Sequence, residues 1–193
     1  MLPRIGSSKL VSTWILITLG ASIVSMLDGG WLASWTSLAP REIWRGQLWR
    51  LVTWSIVELG PYGLVMTLVS IYKFGGELAP RWGDHRLRRF GLHLVIAAGV
   101  ITALGALVSS RAWHMSRCGG WALGEALVIA WARQYPTAQL RLWSVLVLSG
   151  KQLVWVTAGF AILLAIANGP FVMAPELVCC LGAAYYPRAW LSR

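Results

Sequence analysis

Three kinds of side chain in this sequence could do chemistry: acids carried into apolar segments, thiols and imidazoles. Glu125 lies inside "GGWALGEALVIAWA", and Glu176 follows Pro175 at the head of "ELVCCLGAAYY". A carboxyl group within a membrane segment costs about 2.5–3.5 kcal/mol on insertion scales, so it faces a protein interior or a hydrated cavity. For Glu125 this leaves two readings, a cleft that receives polar groups of another helix or a hydrogen-bonded core group. Glu176 is close enough to its helix start to be explained by the positive end of the helix dipole. Cys118, Cys179 and Cys180 show no CxxC spacing, which argues against a zinc site or a disulfide scaffold. Cys179 and Cys180 read as packing residues. His85, His93 and His114 are too scattered for a ligand set, so no metal and no cofactor is expected.

The elements that must hold these groups are membrane helices. Of the 193 residues, 57% are hydrophobic and only 12% charged, and the mean hydropathy is +0.62, outside the mix of a soluble domain. Seventeen Lys and Arg against seven acids give a net charge of +10. That balance would suit nucleic acid only on a folded face open to water, for which the apolar runs leave little room, so no nucleic-acid partner is expected. A hydrocarbon layer about 30 Å thick needs about 20 helical residues per span. The apolar runs predict six spans, near residues 10–27, 61–78, 92–109, 119–132, 153–167 and 171–186, in a single domain over 1–193. The first reads as an uncleaved helix, because "GASIVSM" is a poor cleavage site.

Between the first two spans, residues 31–54 carry repeated tryptophans, Pro40 and three arginines, which suits a large irregular loop at the lipid headgroups. Glu58, Lys73 and Glu77 lie near the ends of the second span and read as solvated or snorkelling groups. "APRWGDHRLRR" reads as a basic hairpin before the third span. Arg4, Lys9, Arg81, Arg86, Arg88, Arg89, Arg133, Arg141, Lys151, Arg188 and Arg193 fall on one side, against Arg41, Arg45, Arg50, Arg111 and Arg117 on the other. The excess places both termini in the cytoplasm. No internal repeat supports an inverted-repeat transporter. The fourth span rises only about 21 Å, so it is either sheathed by other helices or set in a thinned bilayer. Gly120 and Gly124, four residues apart, give it a close-contact edge.

"WRLVT" at 49–53, "GPYG" at 60–63, "YKF" at 72–74, "WARQYP" at 131–136, "LVWVTAGFAILL" at 153–164 and "ELVCCLGAAYYP" at 176–187 together resemble the rhomboid superfamily and, more closely, the derlins. The resemblance implies an all-α, six-helix rhomboid-like membrane bundle, and for Trp49 and Arg50 it favours a clamp on the first loop over a simple anchor at the lipid headgroups. An active rhomboid protease needs a serine at the head of the fourth helix, a histidine on the sixth, and a His-x-x-x-Asn pair on the second. Those slots fall here on Gly119, Glu176, Gly63 and Thr67, none of which carries the required group. Shifting the frame by one would put Cys118 in the nucleophile slot. A nucleophile needs a base, however, and the last histidine in the chain is His114. The resemblance therefore implies a pseudoprotease.

What remains is a membrane body that binds transmembrane helices of other proteins. The resemblance implies a role in membrane-protein quality control or retrotranslocation, with a locally thinned bilayer and a lateral opening between helices two and five. Two other readings are an accessory subunit of a larger membrane complex and a residual protease using Cys118. Lipids, client or subunit helices, and further copies of the chain are the partners to expect. The end at Arg193 leads us to expect no ATPase-recruiting tail of the kind many derlins carry. The basic, tryptophan-rich composition points to a bacterial inner membrane, with the endoplasmic reticulum as the alternative.

Overall fold

The computed structural model of the protein describes residues 8–142 and 146–186; Arg4, Arg188, Arg193 and both termini, which weigh on the charge count, lie outside them. Helix α1 (Lys9–Leu27) begins where the Ser8 hydroxyl accepts from the Val11 N–H and donates to Asp84. Its buried positions are Val11, Thr18, Ser22 and Ser25, a single helical face that is mostly hydroxyl. Leu16, Ile17, Ile23 and Val24 point outward instead. This inversion of the soluble pattern suits lipid, where the irregular backbone must find partners inside the protein. Ser25 accepts from the Ala33 N–H and Ser22 from the Glu58 N–H.

The loop that follows carries three short helices, α2 (Trp31–Thr36), α3 (Pro40–Trp44) and α4 (Arg50–Thr53). Leu38 at its centre pairs through both backbone groups with Arg117, tying the loop to the segment before the central helix. Next comes a continuous helical run. Helix α5 (Pro61–Ser70) passes through a π-helical stretch, Ile71–Gly75, into α6 (Gly76–Trp82). Gly83, at φ +80°, makes the turn into α7 (Asp84–Gly105), which ends in a 3-10 turn, Ala106–Val108. The basic segment expected as a hairpin is thus helical on both sides of a one-residue turn. Asp84 fixes that turn to α1 by accepting from Ser8 and from the Leu10 N–H.

After the short α8 (Ser110–Trp113), helix α9 (Trp121–Gln134) is buried along nearly its whole length, with α5, α7, α10 and α11 packed around it. Its 14 residues form the axis of the molecule. The chain then makes an antiparallel hairpin of β1 (Gln139–Leu142) and β2 (Leu146–Ser149), in register Gln139↔Ser149, where the sequence had suggested no strand. Ser149 and Gln152 form a reciprocal cap that starts α10 (Gly150–Asn168), and α11 (Ala174–Tyr185) closes the bundle. Among the described residues, three helices are by themselves long and apolar enough to cross a membrane: Lys9–Leu27, Asp84–Val108 and Gly150–Asn168. The other expected spans correspond to the 61–82 run, to α9 and to the shorter apolar α11. The protein is an all-α membrane protein with one small hairpin.

Candidate functional site

Three of the four slots a rhomboid protease would use, Gly63, Thr67 and Gly119, converge on one carboxyl group. Glu58, at the end of the segment between α4 and α5, is 6% exposed. Its Oε1 accepts from the Gly120 N–H at 2.7 Å and from the Thr67 hydroxyl at 2.6 Å. A Cβ built on Gly63 would lie 2.8 Å from Glu58 Oε2, and one on Gly119 3.0 Å from the same atom. Gly63, Thr67, Gly119 and Gly120 thus form a cradle that Glu58 fills. This corrects the expectation that Glu58 is a solvated group at a helix end. The 54–60 segment turns inward, held at the Glu58 N–H by Ser22, and carries the acid beneath the start of α9.

Gly119 has φ +137°, a backbone conformation that side chains rarely adopt. Rebuilding the protease with Gly119→Ser and Glu176→His is therefore expected to yield no cleavage of a transmembrane substrate in liposomes above the wild-type background. The new serine would be strained and pressed against Glu58. Cleavage lost again on reverting the serine would show that the centre can still be rebuilt.

Cys118 offers no substitute nucleophile. Its Sγ–H donates to the Ala33 carbonyl, and burial pushes the thiol up to about 11, so it is not a thiolate near neutral pH. The imidazoles lie elsewhere: His85 contacts Arg88, His93 contacts Tyr186, and His114 contacts the Ser110 carbonyl. No hydrogen bond joins Cys118 to a histidine among the described residues.

Glu176 occupies the first turn of α11 and pairs with Arg117, Nη2 to Oε1 at 2.8 Å. Arg117 also donates to the Val172 carbonyl, so one guanidinium joins the chain before α9 to the head of α11. Glu125 is a separate site. It accepts from the Trp121 indole N–H at 2.9 Å and from Cys180 Sγ at 3.4 Å, and it is 7% exposed. It lies on a cavity of about 200 Å³ bounded by α5, α9 and α10, with Thr67, Ser70 and Thr157 as further polar lining. Helices α5 and α10 each pack on α9 but scarcely touch each other. Gly120 and Gly124 bring α9 against α5: Cβ atoms there would meet Thr67 at 2.7 Å and Ser70 at 3.3 Å.

Trp49 and Arg50 part company in the loop. Arg50 is buried, and its guanidinium donates to Gln47 Oε1, to the Ser34 and Ser37 carbonyls and to the Ser37 hydroxyl. Trp49 is 45% exposed, stacks on Trp35 with ring centroids 6.1 Å apart, and donates its indole N–H to the Trp35 carbonyl. Only the arginine reaches the interior. Sequence reading missed Glu58 and Arg117; the hydroxyl face of α1 at Thr18, Ser22 and Ser25 was the available sign that polar backbone would be drawn inward.

Two comparisons with known proteins bear on this arrangement. The model of the family described as "Eukaryotic integral membrane protein (DUF1751)" matches residues 9–186. Derlin-1.2 of Zea mays is 26% identical over 149 residues, 76% of this chain and 58% of the maize protein, so the chain spans less than two thirds of that relative's length. The family's eukaryotic description and the plant relative overturn the expectation of a bacterial inner membrane; composition was too weak a guide to compartment. A multi-pass membrane location stands. Glycine and glutamate occupy the nucleophile and base slots, and burial keeps the neighbouring Cys118 thiol protonated. The chain belongs to the family of eukaryotic integral membrane proteins that its model describes, as a derlin-like member of the rhomboid superfamily.

Proposed function

We propose that the protein binds transmembrane segments of other membrane proteins at the lateral cavity between α5 and α10, as a component of membrane-protein quality control or retrotranslocation. The observation that carries this reading is an acid, Glu125, on a cavity between two helices that scarcely touch. A helix can approach such a gap sideways. Lipid supplies no hydrogen bonds, so a client segment with an amide, hydroxyl or cationic side chain at mid-depth gains by placing it against Glu125, Thr157 or Ser70. An all-leucine segment gains only packing. The two α5 hydroxyls sit one helical turn apart at Thr67 and Ser70, on the face that meets this cavity.

Photo-crosslinkers at Met66 and Phe160, both on the cavity lining, test the reading in native membranes. A single-span client with a central asparagine should be captured more than its leucine counterpart. Glu125→Gln should narrow that preference by about threefold to twentyfold, the range that membrane hydrogen bonds of about 0.6–1.7 kcal/mol allow. Equal capture of both clients by the wild type would defeat the reading. One stoichiometric partner captured regardless of client would instead mark an accessory subunit.

A further inference from the structure

A second opening lies on the far side of α9 from the client cavity. It is a groove of about 250 Å³ between α1, the 52–56 segment and α7, and apart from Thr13, Ser55 and one charged residue its lining is apolar. The charged residue is Arg88. We infer that this groove is a glycerophospholipid site, with one acyl chain lying between α1 and α7 and the phosphate held by Arg88.

Shape comes first. The lining on α1 extends from Leu10 to Ile17 and on α7 from Arg88 to Val95, two turns of each helix. Seven residues rise about 10 Å, most of the apolar depth of one leaflet of a bilayer whose core is about 30 Å. A single hydrocarbon chain suits its width. The opening depends on Gly91, one turn along from Arg88, where a Cβ would stand 3.3 Å from the Trp14 ring. The ring of Trp14 forms the opposite wall.

Charge comes second. Arg88 is exposed and makes no ion pair among the described residues; its one polar contact is with His85 Nδ1 at 3.3 Å. Lys9 and Arg89, also exposed, add positive charge at the same end. The acid nearby, Asp84, is already engaged by the Ser8 hydroxyl and the Leu10 N–H. An unpaired guanidinium at the mouth of an apolar groove one leaflet deep matches a phosphodiester attached to an acyl chain. Free phosphate would leave the groove empty, and an uncharged chain would leave Arg88 unmatched.

The test uses the purified full-length chain in mild detergent with dipalmitoyl phosphatidylglycerol, followed by native mass spectrometry. One lipid should stay on each wild-type chain as detergent is stripped away. Arg88→Gln should lower that retention about tenfold and Arg88→Lys much less. Leu92→Trp, which crowds the groove without touching the charge, should also abolish it. A version of the lipid brominated on its acyl chains should quench tryptophan emission in the wild type more than in Trp14→Phe. Glycerophosphate, which lacks chains, should fail to compete. Equal retention by wild type and Arg88→Gln, full competition by glycerophosphate, or equal quenching in wild type and Trp14→Phe would each overturn the assignment. Arg88 lies on the surface, so its variants should keep the wild-type helicity by circular dichroism.

Discussion

Replacing Arg50 with methionine lowers the apparent melting temperature of the detergent-purified protein by about 5–15 °C. The guanidinium is the sole inward-pointing cation of the first loop, and it holds the Ser34 and Ser37 carbonyls, the Ser37 hydroxyl and Gln47 at once. Those carbonyls close α2, so they have no helical partner of their own. Methionine matches the length of the stem but leaves the buried Ser37 carbonyl unpaired, and takes one donor each from Gln47 Oε1 and from the Ser34 carbonyl, which keeps the Ser37 hydroxyl. Each orphaned group costs about 1–3 kcal/mol, and a chain of this size loses about 2–4 °C per kcal/mol. Arg50→Lys keeps the charge but offers its donors from a single point, so it should fall between the two. Trp49→Phe is the control: the ring is 45% exposed, so its loss should cost no more than a few degrees. Unfolding followed by circular dichroism at one fixed scan rate decides it, since melting in detergent is often irreversible. An Arg50→Met protein that melts with the wild type would remove the loop clamp from this fold.

The contrast between those two neighbours shows how far sequence reaches. Apolar length placed α1, α7 and α10 well, because a span is a local property of about 20 residues. The glycine spacing marked the edge of α9 that meets α5, because a missing side chain has only one use at a tight helix contact. Side chains whose role depends on distant partners were another matter. Arg117 and Glu176 lie 59 residues apart, and no local pattern joins them. The β1–β2 hairpin falls in a stretch whose alternation is broken by consecutive apolar residues, so its period of two was weak. Glu58 stands near a helix start, where an acid is commonly solvated. Its burial follows from the inward turn of 54–60, a consequence of α1 offering Ser22 rather than of anything near residue 58.

Glu58 supports the second large effect. Glu58→Ala should destabilise the protein by about 2–4 kcal/mol, because it strips the acceptor from the Gly120 N–H and the Thr67 hydroxyl and leaves the cradle of Gly63 and Gly119 empty. Glu58→Gln retains a carbonyl oxygen for those donors and should lose less than half as much at pH 7. The two variants also separate packing from charge. Burial pushes the Glu58 carboxyl above the ordinary carboxylate range, with the Thr67 and Gly120 hydrogen bonds opposing the shift. A folded-state pKa above the unfolded value means the folded protein holds this proton more tightly. Its contribution to stability is therefore fully present below the unfolded pKa and is lost as pH rises through the folded one. Glutamine does not titrate, so the gap between wild type and Glu58→Gln should shrink as pH rises from 5 to 8, while all other acids cancel in the comparison. Parallel melting curves across that range would show that the group is ionised throughout. The Gly120 N–H and the Thr67 hydroxyl need an acceptor where water is scarce. The Glu58 carboxyl meets that need, which ties the segment before α5 to the head of the central helix.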